Sequence, residues 1–135
     1  MGRSLGGAAA VYAQAKLNYP IKGMILENTF LSMGDLVDTL FPIFKYIKNI
    51  LLKNHWETKN LIDKIKKPIF FIMADKDELV PYEHMLELVK RSTGNSVLIR
   101  KFIVKGANHN DGFIRDTKGY TENLKNFIDE VIENY

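Results

Sequence analysis

The sequence predicts an α/β fold in three layers, in which a parallel sheet lies between flanking helices. Three short apolar runs, at residues 21–26, 69–73 and 97–104, have the length of buried strands. They alternate with longer segments of helical character, and strands that alternate with helices form parallel sheets with right-handed crossovers. The run IFFIM at residues 69–73 contains no polar residue, which is typical of a parallel strand covered on both faces.

The helices of the first half are predicted from composition and from the spacing of apolar residues. Residues 4–16 are rich in alanine, and the Asn-Tyr-Pro group at residues 18–20 ends that helix. In residues 30–53 apolar side chains recur one, three or four positions apart, which predicts a helical region. Pro42 is expected to start or kink a helix there.

The second half alternates in the same way. Residues 60–65 are predicted as one short helix before Pro68, and residues 81–92 as a helix closed by Gly94. Residues 120–135 are predicted as a terminal amphipathic helix. Since no repeat, low-complexity segment or linker interrupts the chain, we expect one domain over residues 1–135.

Composition excludes several classes of function. The formal net charge is only +3 and the basic residues are scattered, so the charge does not indicate a nucleic-acid partner. The chain has no cysteine, which excludes disulfides and thiolate catalysis. The 3 histidines lie far apart, so we expect no metal and no cofactor.

No segment of the sequence has the length and composition of a membrane span. The first residues lack the basic stretch and the long apolar core of a signal peptide. The most hydrophobic stretch, residues 36–52, is interrupted by charged residues and a proline. Taken as it stands, the chain is expected to be soluble and cytoplasmic.

Residues 2–7, GRSLGG, fit the pattern G-x-S-x-G of a nucleophile elbow. Such an elbow is a sharp turn between a strand and a helix, and small neighbours such as Gly2 and Gly6 permit its strained backbone. The turn exposes the hydroxyl of Ser4, the candidate nucleophile. It also sets the amide of Leu5 at a helix start, where it can stabilise an oxyanion.

Two carboxylates follow the strand at residues 69–73. Asp75 and Asp77 stand where open α/β sheets gather their active-site residues, at the carboxyl end of a parallel strand. Either could be a catalytic acid, and both could instead form a polar turn and cap the next helix. These residues alone do not choose between the alternatives.

His109 follows the third predicted strand, in the loop KGANHND at residues 105–111. An imidazole can take the serine proton and return it if a carboxylate holds its other nitrogen. The alternative is a polar loop histidine without a partner. Because the chain order Ser, Asp, His is that of α/β-hydrolases, and each candidate follows a predicted strand, we predict a catalytic triad with Ser4 as nucleophile and His109 as base.

Five stretches carry a resemblance that covers nearly the whole chain. They are GRSLGGA at residues 2–8, ENTFLS at 27–32, TLFP at 39–42, DELVP at 77–81 and NHND at 108–111. On these the sequence resembles the alpha/beta-hydrolase domain-containing protein 13 family of serine hydrolases. The resemblance implies Asp77, not Asp75, as the triad acid, beside Ser4 and His109, with Leu5 as an oxyanion donor.

The resemblance also implies the carboxyl-terminal half of an α/β-hydrolase fold, with a helical cap over about residues 30–60. It implies an ester or thioester substrate, either a small molecule or an acylated protein. Full-length members are usually tethered to a membrane by a segment ahead of the hydrolase domain. The oligomeric state is not implied.

In members of that family further strands and a second oxyanion donor precede the elbow, whereas here Met1 stands directly before Gly2. We therefore expect a truncated chain with three strands, no strand to hold the elbow at Ser4, and an open sheet edge. Such a chain would be aggregation-prone and weakly active or inactive. The alternative function is a noncatalytic fragment that binds a partner or a membrane surface through residues 36–52, where lysines accompany a broad apolar face.

Overall fold

The computed structural model describes residues 1–40 and 56–135. Within these residues lies a four-stranded parallel sheet whose spatial order β1-β2-β3-β4 follows the chain. The strands are β1 (Gly2–Arg3), β2 (Met24–Glu27), β3 (Ile69–Ala74) and β4 (Ile99–Val104). The predicted fold class, a parallel sheet with flanking helices, is confirmed.

Helices connect the strands. They are α1 (Leu5–Leu17), α2 (Met33–Leu40), α3 (Tyr82–Ser92), α4 (Gly112–Arg115) and α5 (Thr117–Asn134). Two single 3₁₀ turns, Thr58–Asn60 and Ile62–Lys64, precede β3. The sequence predicts one short helix over residues 60–65, and the structure has these two turns in its place. The hydrogen-bonded amides there donate to the carbonyl of the third residue before them, which is the bonding pattern of a 3₁₀ helix.

The central strand β3 divides the core into two apolar layers. Its alternate side chains Phe71 and Met73 pack with residues of α1 and α3, whereas Phe70 and Ile72 pack on the other face with residues of α5. All six residues of β3 are buried. The apolar run of the sequence is therefore explained by helices on both faces of this strand, in three layers as predicted.

The remaining elements differ from the prediction mainly at their ends. The strand predicted at residues 21–26 is Met24–Glu27, because pairing with β3 begins at Met24 opposite Ile69. The strand predicted at residues 97–104 begins at Ile99 for the same reason. The terminal helix starts earlier than predicted, since the Asp116 side chain accepts a hydrogen bond from the Gly119 amide and caps it.

The predicted count of three strands is wrong. Gly2 and Arg3 pair in parallel with Leu26 and Glu27, so the residues directly before the elbow form a fourth strand. Two residues are too short to show a periodic pattern, and only the pairing with β2 makes them a strand.

The helical cap predicted at about residues 30–60 is described in part. Within that range the structure has α2, which begins after Ser32, whose hydroxyl accepts a hydrogen bond from the Asp35 amide. Residues 41–55 lie outside the described residues, and with them Pro42 and most of the stretch 36–52. Across residues 1–40 and 56–135, no helix is both long and apolar enough to cross a bilayer.

Candidate active site

The predicted site residues lie at one edge of the sheet. Ser4 follows β1, Asp77 follows β3, and His109 follows β4. Because all strands are parallel, their carboxyl ends meet at this edge, where open α/β sheets bind their ligands. β2 lies between the strands of Ser4 and Asp77, so the residues after β2 also belong to the site.

Ser4 has the strained backbone that an elbow requires. Its φ of 51° and ψ of −121° place it in a region that residues with a side chain rarely adopt. The Ser4 amide donates to the carbonyl of Glu27 at 2.9 Å, and the Thr29 hydroxyl donates to the Ser4 carbonyl at 2.6 Å. These two bonds fix the peptide groups on both sides of the serine.

The expectation that the elbow has no neighbour to sustain its strain is therefore wrong. β1, Glu27 at the end of β2 and Thr29 after it supply those contacts from within this chain. The hydrogen bonds connect Ser4 to Glu27 and Thr29, which lie more than 20 residues away.

Two glycines give the elbow its close packing. A Cβ on Gly2 would lie 2.8 Å from the Cα of Gly7, and a Cβ on Gly7 would lie 2.6 Å from the Cβ of Thr29. Gly6 was expected to be needed as a small neighbour, but an added Cβ there meets no described atom within 4 Å outside its own helix backbone. Gly7 fills that role, because it faces Thr29 while Gly6 faces outward.

Leu5 is the first residue of α1. Amides in the first turn of a helix have no acceptor within the helix, and the helix dipole adds partial positive charge there. The Leu5 amide therefore has the position expected of an oxyanion donor next to Ser4.

Asp77 and His109 are in direct contact. The Asp77 Oδ2 lies 2.7 Å from the His109 Nδ1, and the two side chains are 1% and 6% exposed. The other carboxylate oxygen of Asp77 accepts hydrogen bonds from the amides of Leu79 at 2.9 Å and Val80 at 2.7 Å. Backbone bonds thus fix the carboxylate, and the carboxylate in turn orients the imidazole.

Asp75 has a different role. Its Oδ1 accepts a hydrogen bond from the Gly106 amide at 2.5 Å, and the Lys76 amide donates to the Ala107 carbonyl at 3.0 Å. These bonds join the loop after β3 to the loop after β4. Geometry therefore assigns Asp75 to loop structure and Asp77 to the histidine, an assignment that local sequence did not make.

Two residues that the sequence left without a role contact the His109 peptide. The Asn28 side chain donates to the His109 carbonyl at 3.1 Å, and the His109 amide donates to a carboxylate oxygen of Glu78 at 3.1 Å. Both residues lie in stretches that carried the family resemblance, ENTFLS and DELVP. Asn28 also follows a predicted strand end, from which it could approach the site, whereas for Glu78 the resemblance was the sequence signal.

A buried carboxylate lies behind the site. The phenol of Tyr120 donates to the Glu27 carboxylate at 3.0 Å, and both residues are buried. Burial raises the pKa of Glu27 above its ordinary value, while the Tyr120 bond and the charges of Arg3 and His109 lower it by less. Burial also raises the pKa of Tyr120, so the phenol keeps its proton and remains the donor.

An apolar cluster adjoins the elbow and the acid loop. Ala8, Phe30 and Val80 are buried together, and Met33, Leu36 and Trp56 pack against them. Trp56 also makes an edge contact with the ring of Tyr12 in α1. The cluster therefore extends from α1, the helix after Ser4, to α2.

Metal ligation has no support in the described part of the chain. Among residues 1–40 and 56–135, no group of three histidine, cysteine, aspartate or glutamate side chains lies where it could hold a metal ion.

Comparison with protein families gives a match in the second half of the chain. The sequence profile of the dienelactone hydrolase family matches residues 52–129. That range contains Asp77 and His109 and begins after Ser4 in the chain.

Three curated relatives match most of the chain. An uncharacterized membrane protein of Saccharomyces cerevisiae is 35% identical over 131 residues, which are 96% of this chain and 44% of that protein. Protein bem46 of Schizosaccharomyces pombe is 35% identical over 130 residues, 96% of this chain and 42% of that protein. The alpha/beta hydrolase domain-containing protein WAV2 of Arabidopsis thaliana is 31% identical over 106 residues, 70% of this chain and 34% of that protein. This chain spans less than half the length of these relatives.

Solved structures share the fold at low sequence identity. Est1E from Butyrivibrio proteoclasticus superimposes with a TM-score of 0.72 at 20% identity, over 98% of this chain and 60% of that one. The esterase Pf2001 of Pyrococcus furiosus superimposes with a TM-score of 0.71 at 16% identity, over 96% of this chain and 51% of that one. These likenesses support the α/β-hydrolase fold, while the narrower resemblance to the alpha/beta-hydrolase domain-containing protein 13 family stays a prediction.

Proposed function

Because this chain belongs to the dienelactone hydrolase family, we propose that it carries the Ser4-Asp77-His109 triad of a serine hydrolase that cleaves an ester or thioester. The observation that carries the proposal is the buried contact between Asp77 and His109 at the same sheet edge as the elbow serine. A carboxylate that holds one imidazole nitrogen leaves the other nitrogen to act as the base.

Each residue has a distinct role in the proposed reaction. His109 accepts the hydroxyl proton of Ser4 on the ring nitrogen that does not face Asp77, while the serine oxygen bonds to the acyl carbon. The Leu5 amide donates to the oxyanion that forms. His109 then returns the proton to the leaving alcohol or thiol, and water, activated by the same imidazole, releases the acid from Ser4.

An acyl group is the proposed substrate portion next to the serine. The apolar cluster of Phe30, Val80 and Leu36 lies between the elbow helix and the cap helix, where the acyl chain of a substrate would be covered. The proposed substrate is either an acylated protein or a small acyl ester. One curated relative is named as a membrane protein, which agrees with a proposed membrane association of the whole protein.

The test is covalent labelling of the purified chain by a fluorophosphonate, which reacts with activated serines. Because contacts within this chain support the Ser4 elbow, we expect labelling of the wild type in place of the inactivity that truncation alone predicts. We expect that labelling to be lost in both Ser4→Ala and His109→Ala. Ser32→Ala is the matched control, because Ser32 is a second serine at the same sheet edge, and its hydroxyl bonds to Asp35. A chain shown to be folded by circular dichroism but not labelled would contradict the proposal, as would labelling that survives Ser4→Ala.

A further inference from the structure

The peptide groups of His109 are held from two sides by side chains outside the proposed triad. Its carbonyl accepts from the Asn28 amide nitrogen at 3.1 Å, and its N–H donates to the Glu78 carboxylate at 3.1 Å. Neither bond involves the imidazole. The backbone of His109 is thus fixed independently of the contact between its ring and Asp77.

Asn28 is itself immobilised by β3. It is 2% exposed, and its side-chain oxygen accepts a hydrogen bond from the Ala74 amide at 2.9 Å. Its main-chain N–H donates to the Ile72 carbonyl at 3.2 Å. Its φ of 44° lies in the left-handed region, which asparagine tolerates better than most residues. Because the side-chain oxygen of Asn28 bonds to the Ala74 amide, its side-chain NH₂ group points to the His109 carbonyl.

The amide side chain of Asn28 meets two opposite demands in this position. The Ala74 amide requires an acceptor, and the His109 carbonyl requires a donor. An ionised aspartate of the same shape offers acceptors alone. The residue therefore joins the end of β3, the strand that precedes Asp77, to the loop that contains His109.

We propose that Asn28, with Glu78 on the opposite side, is a positioning residue that fixes the backbone of His109 and so places its imidazole, whose orientation Asp77 holds, at the distance that catalysis requires. The proposal rests on the proposed function, because it assigns His109 the role of base. Proton transfer requires alignment at hydrogen-bond distance, and a displacement of about 1 Å can lower a rate by up to about 100-fold.

The first experiment uses Asn28→Asp in the full chain. This change keeps the acceptor for Ala74 and the side-chain shape, but removes the donor to His109. Asn110→Asp is the matched control, since it adds the same charge to the exposed neighbour of His109. Two quantities are measured: the rate of fluorophosphonate labelling, and the downfield proton resonance of the His109 Nδ1–H, assigned by its loss in His109→Asn.

We expect Asn28→Asp to lower the labelling rate by about 10- to 100-fold and to shift or broaden the His109 resonance, with little change in Asn110→Asp. Wild-type labelling and an unshifted resonance in Asn28→Asp would overturn the proposal. An equal loss in both variants would also overturn it, because charge alone would then explain the effect. If the wild type is not labelled, the proposed function fails, and the resonance still decides whether Asn28 positions His109.

A second pair of variants decides the matter if Asn28→Asp does not fold. Glu78 is exposed, so its replacement leaves the core intact. Glu78→Gln keeps an acceptor for the His109 amide, whereas Glu78→Ala removes it. We expect a labelling rate near that of the wild type in Glu78→Gln. In Glu78→Ala we expect the labelling rate to fall several-fold, since a water molecule replaces the carboxylate only in part. Equal rates in the two variants would contradict the proposal.

Discussion

The carboxylate of Asp77 and the imidazole of His109 are joined by a 2.7 Å contact between residues that are 32 positions apart in the chain. Both side chains are almost fully shielded from water, and hydrogen bonds in such surroundings are stronger than at the surface. Because Asp77 also accepts hydrogen bonds from two backbone amides, its carboxylate cannot rotate without breaking those bonds. The pair is therefore a fixed unit in which Asp77 determines the orientation of the ring.

Asp77→Asn tests that unit. The amide oxygen can keep the bonds to the Leu79 and Val80 amides, but its NH₂ group then faces Nδ1 and favours the wrong tautomer of the ring. In serine proteases the corresponding change lowers kcat by about 10⁴-fold, and we expect a loss of labelling rate of that order here.

Asp75→Asn is the control for that change, because Asp75 bonds only to the loop after β4 among the contacts described. We expect it to lower stability slightly and to leave the labelling rate within a few-fold of the wild type. Equal losses in the two variants would contradict the assignment of Asp77 as the acid.

Gly2 and Gly6 of the elbow are predicted to differ in their tolerance of substitution by alanine. In Gly2→Ala the new methyl group lies too close to backbone atoms of Gly6 and Gly7, which cannot move without opening the turn. We expect a loss of at least about 1 to 3 kcal/mol in the free energy of unfolding, with loss of labelling. Gly6→Ala has open space and gains helix propensity of up to about 1 kcal/mol. Urea denaturation of both variants measures the difference, and equal destabilisation would refute it.

Tyr120→Phe removes the hydrogen bond to the buried carboxylate of Glu27. We expect a loss of about 1 to 3 kcal/mol in the free energy of unfolding, because a buried acceptor loses its partner while the aromatic ring stays in place. Tyr12→Phe is the control, since Tyr12 is exposed, and its effect should stay within about 0.5 kcal/mol. Similar effects in both variants would show that the Glu27 contact contributes nothing.

Glu27→Gln is predicted to change the pH dependence of stability. Burial holds the pKa of Glu27 above its unfolded value, so the folded state favours the protonated form. The stability contributed by this group is present below the unfolded pKa and is lost as pH rises through the folded pKa. Glutamine does not titrate and still accepts from Tyr120.

The free energy of unfolding of Glu27→Gln relative to the wild type should therefore increase from acidic to neutral pH. Urea denaturation of both proteins across that range measures the difference. A difference that stays constant with pH would mean that Glu27 does not titrate differently in the folded state.

Phe71→Ala tests the packing of the central strand. Phe71 is fully buried between helices, and truncation of a buried phenylalanine costs about 3 to 5 kcal/mol. Ile132→Ala is the control, because Ile132 is 63% exposed on α5, and we expect it to change stability by less than about 1 kcal/mol. A small effect at Phe71, measured by thermal or urea denaturation, would contradict the described core.

The elements that could be predicted from the sequence are those whose own residues carry the signal. β3 was predictable because an unbroken apolar run is stable only when both faces are covered. α1 was predictable from its alanines and from Asn18, which ends it in the left-handed conformation. The positions of Asp77 and His109 after strands followed from the chain order of these local patterns.

Elements defined by pairing were not predictable. β1 is two residues long and exists only because Gly2 and Arg3 find partners in β2. The register with β3 moved the start of β2 to Met24, and it placed Glu27, a charged residue, inside a strand. In each case the hydrogen-bonding partner lies more than 20 residues away, beyond the reach of a local pattern.

The sequence by itself determined the order of helices and strands and the residue types that stand at the carboxyl edge of the sheet, because periodicity, composition and turn residues act locally. Only the tertiary structure brought Asp77 into contact with His109 and Asp75 into contact with Gly106, supplied the support of the Ser4 elbow, and joined Asn28 and Glu78 to the His109 peptide. Those contacts depend on the distances between loops that parallel strands bring to one edge of the sheet. Strand pairing sets these distances, and local sequence patterns do not predict them.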